Sequence, residues 1–269
     1  MSTHATDRAR PGDAAARLPD DWIVPAWPAP SNVHALFTTR NVDTGGIRTT
    51  AFDVGGARAP DDSRERAPIA DHRYFLQRLL PSPPAWLDQV HGADVVTLDR
   101  SPRSGDEPPS ADAAVTRSPD VVLAIRVADC MPVLFASTDG ATVGAAHAGW
   151  RGLSASVLER TIDTMRCAPA DVLAWIGPCI GAAVYEVGDD VYDAFVHRDG
   201  AAASAFQRRA RGKWLADLVA LAQQRLARAG VVDVTRCGLC TASDAERFFS
   251  FRRDRATGRM AALIWSTEC

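Results

Sequence analysis

A chain of 269 residues with 46% hydrophobic and 23% charged residues is long enough to bury one large core or two small ones. Its net charge of -3, with the arginines scattered, leaves no electrostatic footprint for nucleic acid. No apolar run is long enough to span a bilayer, and six cysteines in a chain this long make no disulfide scaffold, which fits a reducing compartment.

Residues 1–20 are polar and alanine-rich and lack the apolar region of a signal peptide, so a flexible arm and a cytoplasmic location are expected. A single domain is expected over 21–269, since no repeat or composition break divides it. After a proline-punctuated stretch from Trp22 to Pro30, His34–Thr39 reads as a strand ending at Arg40, and Gly45-Gly46 as a turn. Ile69 to Leu80 reads as a helix with Ile69, Leu76 and Leu80 on one face; Pro68 interrupts any earlier start at Asp61–Glu65, and Pro81 stops it. Strands follow at Ala85–Val90 and Asp94–Leu98, then a polar loop over Ser101–Pro109. Val121–Val127 is apolar except for Arg126, the pattern of a strand covered on both faces.

Pro132–Ala136 and Ala141–Ala146 read as a hairpin around Thr138-Asp139-Gly140. Leu153–Met165 has apolar residues at helical spacing, and Asp171–Ile176 reads as a strand. Asp189–Val196 opens on acidic residues, which suit a helix N-terminus, and Trp214–Ala229 reads as a helix stopped by Gly230. Met260–Trp265 is the last strand. Hairpins mixed with helix–strand alternation give a mixed α/β (α+β) fold with largely antiparallel sheets.

The chemistry concentrates between Ala128 and Gly152. Cys130 in Ala128-Asp129-Cys130-Met131-Pro132 and His147 in His147-Ala148-Gly149-Trp150-Arg151-Gly152 sit at the ends of apolar segments among small residues. A thiolate and an imidazole so placed form either a nucleophile–base pair or part of a metal site. Cys167, Cys179 and Cys269 read as small buried hydrophobes. Cys237-Gly238-Leu239-Cys240 is half of a zinc or redox motif with no second CxxC.

An ordered series of motifs between about residues 34 and 265 carries a family resemblance. It comprises Phe37-Thr38-Thr39-Arg40, Gln89-Val90-His91-Gly92, the two segments above, and Ile176-Gly177-Pro178. It continues with Tyr185-Glu186-Val187-Gly188, Cys240-Thr241, Phe248-Phe249-Ser250-Phe251-Arg252-Arg253-Asp254 and Thr257-Gly258-Arg259-Met260. The chain resembles the YfiH-type family, known both as multicopper polyphenol oxidoreductase (laccase) and as purine nucleoside phosphorylase. The resemblance implies a layered α/β/β/α sandwich of the cysteine-hydrolase type. It also implies one zinc ion held by His91, Cys130 and His147. Two imidazoles and one thiolate leave a fourth tetrahedral position for water or substrate.

The implied reaction is phosphorolysis of adenosine, inosine, guanosine or methylthioadenosine, together with deamination of adenosine. The expected partners are therefore a nucleoside and phosphate, with the protein a monomer or homodimer and neither nucleic acid nor membrane involved. Arg40, Arg151, Arg252 and Arg253 fall inside the motifs and are candidates for holding phosphate, Arg151 first, with Gln89 as a further substrate contact. Asp129 is the candidate for proton transfer or for orienting a ligand.

Six histidines are too few for a multicopper oxidase, so laccase chemistry would rest on a single copper. A His2Cys copper centre takes an axial methionine, and Met131, next to Cys130 on a strand, points to the opposite face. Two further alternatives are a metal-free Cys130–His147 hydrolase and the editing of a peptidoglycan precursor, thought to occur in bacterial relatives. The chain departs from the pattern at Phe251, where relatives commonly carry tyrosine, and at Asp53-Val54-Gly55, His72-Arg73 and His34-Ala35. None of these positions touches the three ligands.

Overall fold

The computed structural model describes residues 18–43, 48–56 and 63–268. Most of the arm expected over 1–20, the Gly45-Gly46 turn, Asp61 and Cys269 lie outside the described residues. Two sheets dominate. In the first, the strands Asp233–Arg236, Val172–Ile176, Met131–Ser137, Val143–Ala148, Ala113–Thr116 and Val95–Thr97 lie side by side in that order. In the second the order is Val33–Phe37, Met260–Ser266, Leu123–Val127 and Ala85–Trp86. A three-stranded sheet of Glu186–Gly188, Lys213–Ala216 and Phe206–Ala210 flanks them.

Strand alternation explains how the layers stack. Leu134 and Ala136, Val143 and Ala145, and Leu123, Ile125 and Val127 fill one apolar layer between the two large sheets. The opposite face of the first sheet gives Met131, Val133, Phe135 and Ala146 to a layer shared with helices Val157–Met165 and Leu218–Arg228. The outer face of the second gives Leu36, Ala124 and Leu263 to a third layer with Leu76, on the helix Ser63–Gln77. Each fully buried leucine or isoleucine in these layers contributes about 1.5–3 kcal/mol. By the same alternation Cys130 and His147 turn toward the space between the sheets.

Several elements differ from expectation, each for a local reason. The sheets are largely antiparallel as expected, but parallel pairs join Val172–Ile176 to Asp233–Arg236, Val95–Thr97 to Ala113–Thr116, and Ala85–Trp86 to Leu123–Val127. The helix read as Ile69–Leu80 spans Ser63–Gln77 and runs through Pro68. Proline there removes one hydrogen bond, and burial of Leu76 together with Arg73 donating to the carbonyls of Val54 and Gly56 offsets that loss. The helix read as Leu153–Met165 is two helices, Trp150–Ser154 and Val157–Met165, broken at Ser156 with φ of 75°. The first is pinned because Gly152 packs on the Gly92 carbonyl, where a Cβ would come within 2.6 Å.

The helix read from Trp214 begins at Leu218, after Asp217 caps it by accepting from the Ala220 amide at 2.9 Å. Trp214 belongs to a strand, where its ring stacks on Tyr192 at 4.0 Å and its Nε1 donates to Asp189. The strand expected at Ala85–Val90 ends at Trp86. Beyond it the chain loops, with Asp88 pairing to the segment at Ser110 and the next residues turning onto Asp112. The strand Ala113–Thr116, buried throughout, had no signal in its alanine-rich sequence.

Candidate metal centre

His91, Cys130 and His147 come from three separate places and converge. Cys130 immediately precedes the strand Met131–Ser137, His147 lies in the neighbouring strand Val143–Ala148, and His91 sits in the loop after Ala85–Trp86. Their ligand atoms all lie within 4.8 Å of one another, with His147 buried, Cys130 half-buried and His91 exposed. The two imidazoles meet edge to face at 4.8 Å between centroids. Gly149 makes room for this cluster. A Cβ at Gly149 would sit 2.9 Å from Cys130 Sγ and 3.4 Å from His91 Cδ2. Gly149→Ala is therefore expected to weaken zinc binding at least tenfold, read by competition against a chromophoric chelator; an unchanged affinity would remove the cradle from the argument.

Asp112 fixes the geometry. Its Oδ1 accepts from His147 Nδ1 at 2.8 Å and from the His91 amide at 3.0 Å, and its Oδ2 from the Gly92 amide at 2.6 Å and the Val90 amide at 3.2 Å. One buried carboxylate thus orients the imidazole of one ligand and the backbone of the other, holding His91 at φ of 61°. With the proton on Nδ1, the free lone pair of His147 is on Nε2. Burial would raise the Asp112 carboxyl, but His147 and the two nearest amides hold it below the usual range.

The same contacts set the protonation of Cys130. Burial would push its thiol up, but His147, by charge and hydrogen bond, and His91 bring it down to about 6. Burial likewise opposes charging of His147, yet Cys130 and Asp112 raise it to about 9. A thiolate is the form that ligates a metal ion. Two imidazoles and a thiolate, one imidazole held by a carboxylate, are a donor set that fits zinc. Among the described residues no methionine lines the adjoining pocket; Met131 is buried in the helix-facing layer and Met260 Sδ accepts from the Phe249 amide.

The three ligands line a cavity of about 700 Å³, within the range of small-molecule sites. The expected site residues divide around it. Gln89, Asp129, Arg151 and Arg252 also line it; Arg40 and Arg253 do not. Arg40 donates to the carbonyls of Thr50 and Ala245, and Arg253 to those of Thr241, Ala242 and Phe248 and to Asp254. Arg252 reaches the Glu186 carbonyl and lies 5.1 Å from the Tyr185 ring, while Arg151 lies 4.4 Å from its neighbour Trp150. Asp129, at φ of 96°, accepts from Thr241 Oγ1, Ser250 Oγ and the Arg252 amide, and so ties three motifs together.

Sequence reading missed Asp112, Arg126, Tyr185 and Arg259 as contributors. Tyr185 lines the cavity, and burial pushes its phenol well up. A lone arginine in the apolar run Val121–Val127 was the one visible signal for Arg126. Cys179 is buried with its thiol pushed far up, and Cys130, Cys167, Cys179, Cys237 and Cys240 are free thiols.

Such a site, a three-ligand cluster with an open side on a solvent-connected cavity, marks a candidate single-metal centre in a mixed α+β protein. Comparison with known proteins gives the family: the chain belongs to the one described as multi-copper polyphenol oxidoreductase laccase, matched over residues 34–267. A Xylella fastidiosa protein named purine nucleoside phosphorylase is 47% identical over 91% of this chain and 96% of its own. The Escherichia coli purine nucleoside phosphorylase YfiH is 43% identical over 90% and 98%. A crystal structure of a Neisseria meningitidis protein superposes with a TM-score of 0.83 at 41% identity, covering 93% of this chain and all (100%) of that one. No helix among the described residues is long and apolar enough to cross a membrane.

Proposed function

We propose that this protein is a purine nucleoside phosphorylase acting at the His91–Cys130–His147 cavity, with zinc as its metal and adenosine deamination as a second activity. The observation that carries the reading is the placement of that cluster on a nucleoside-sized cavity, in a chain whose close relatives bear the phosphorylase name. A zinc ion held by these residues would supply a Lewis acid at the reacting end of the cavity. The absence of a methionine among the described residues that line the cavity favours zinc over a copper centre. Asp112 keeps the proton on His147 Nδ1. Arg151 and Arg252 offer guanidinium N–H groups to phosphate, and Phe251, half-exposed on the cavity wall, offers a face to a purine ring.

A second reading, a metal-free cysteine hydrolase, draws on one observation: Asp112, His147 and Cys130 form a chain from orienting carboxylate to base to nucleophile. That chain has no use for His91, whose backbone Asp112 nevertheless holds in place. The test is an assay of zinc-loaded protein on adenosine and inosine, with and without phosphate. Free base and ribose 1-phosphate, formed only with phosphate, are expected. No turnover of any purine nucleoside, with release of serine from a peptidoglycan precursor, would overturn the reading.

A further inference from the structure

The cavity has a second polar wall, centred on Arg126, a residue outside both the family motifs and the metal cluster. Arg126 projects from the outer face of the strand Leu123–Val127 and is 6% exposed. Its Nη2 donates to the Leu87 carbonyl, but its Nη1 is buried with no hydrogen-bond partner among the described residues. A buried guanidinium N–H without an acceptor is uncommon in a native fold, and beside a cavity it is completed by water, an ion or a ligand.

The surroundings are built to keep Arg126 there. Gln89 clamps its main chain, donating to the Arg126 carbonyl and accepting from the Arg126 amide, each at 2.9 Å. The Trp86 ring lies 5.8 Å from the Arg126 guanidinium and 5.1 Å from that of Arg73. Burial and the charges of Arg73 and Arg259 bring the Arg126 guanidinium down to about 10, against the pull of Asp88. Three guanidiniums therefore meet two nearby carboxylates, Asp88 and Asp53, and Asp53 Oδ1 already accepts from the amides of Gly55 and Arg259. Arg126, Arg259, Asp88 and Gln89 all line the cavity that holds the metal ligands, and Arg259, unlike Arg40 and Arg253, does so while its Nη1 donates to the Thr257 and Gly258 carbonyls. On this wall the guanidiniums of Arg73, Arg126 and Arg259 outnumber the carboxylates of Asp53 and Asp88, and Arg126 Nη1 has no acceptor among the described residues.

We propose that Arg126 and Arg259 form an oxyanion subsite of this cavity, separate from Arg151 and Arg252, which takes a phosphate or carboxylate group. The oxyanion is either free inorganic phosphate or an anionic group carried by the substrate. In the first case the inference rests on the phosphorylase reading and moves the phosphate from Arg151 and Arg252 to Arg126 and Arg259. In the second it selects anionic nucleoside derivatives.

Calorimetric titration of the zinc-loaded full chain with inorganic phosphate, and separately with adenosine 5′-monophosphate, distinguishes the two. Arg126→Gln and Arg259→Gln are expected to weaken binding of at least one probe tenfold or more, the scale of a lost charge-assisted hydrogen bond, with zinc content unchanged. Arg126→Lys is expected to recover part of the loss. Weakened inorganic phosphate identifies the free ion; weakened nucleotide with inorganic phosphate unaffected identifies the substrate-borne group. If both variants bind both probes like the parent, or the parent binds neither, the subsite is overturned. Should Arg126→Gln fail to fold, Arg259→Gln decides: it removes the Nη1 bonds to the Thr257 and Gly258 carbonyls but leaves the Arg259 main-chain bond to Asp53. Failure of the phosphorylase reading shows separately, as absence of phosphorolysis while the difference in anion binding persists.

Discussion

His91→Ala is expected to abolish both stoichiometric zinc and nucleoside turnover while leaving the thermal unfolding midpoint close to that of the parent. The imidazole of His91 is exposed and packs into none of the three apolar layers. The loop that carries it is held by main-chain amides donating to Asp112, which survive the substitution. What disappears is one ligand in three. Zinc-binding free energies of about 10–16 kcal/mol shared by four ligands come to about 3 kcal/mol each, or roughly a hundredfold in affinity for the one removed. Metal analysis after dialysis, beside an activity assay, reads both effects. The same variant separates the two chemical readings, because a Cys130–His147 hydrolase oriented by Asp112 remains complete without His91. Full turnover in His91→Ala protein stripped of metal would sink the zinc reading.

What could be read in the sequence follows from how rare each residue type is and how local its signal is. His91, Cys130 and His147 stand out because cysteine and histidine are scarce here and each lies beside glycine or at the end of an apolar run. Asp112 does not, because aspartate is common and its role arises only when the loop at 90–92 folds onto it. The arginines of the motifs could be named but not sorted. Arg40 and Arg253 end on main-chain carbonyls, while Arg126, outside the site reading, ends beside the cavity with a donor unmet.

The fold shows the same division. Asp189–Val196 forms the expected helix, since its acidic start and apolar spacing are local features. The Trp214 strand reads as helix because its Leu215 and Ala216 continue the period of the helix behind it; Asp217, the cap, marks the true start. Ala113–Thr116 carries no β-branched alternation, and only its neighbours on both sides make it a strand. Resemblance supplied the union of His91 with the other two ligands, which spacing alone left open.

Asp112 is where fold and site depend on one side chain, and two substitutions separate the dependencies. Asp112→Ala leaves the amides of Val90, His91 and Gly92 and the Nδ1–H of His147 without their acceptor. Each buried donor so orphaned costs about 1–3 kcal/mol, and water entering at the exposed loop relieves part of it. A net loss of about 3 kcal/mol would lower the melting temperature by roughly 6–12 °C in a domain of this size. Asp112→Asn keeps one acceptor oxygen and places an amide NH2 where the other stood. If the oxygen faces the Val90 and Gly92 amides, the NH2 meets His147 Nδ1 and the His91 amide, which loses its acceptor, and drives the imidazole proton onto Nε2, the nitrogen a metal needs. Asp112→Asn is therefore expected to lose about 1–3 kcal/mol for the one orphaned amide, less than Asp112→Ala, yet bind zinc about 10–100-fold more weakly, the usual effect of losing a carboxylate behind a histidine ligand. Differential scanning calorimetry and a zinc competition titration on both variants test the pair. Equal zinc affinity in Asp112→Asn and the parent would show that Asp112 serves the loop alone and does not set the tautomer of His147.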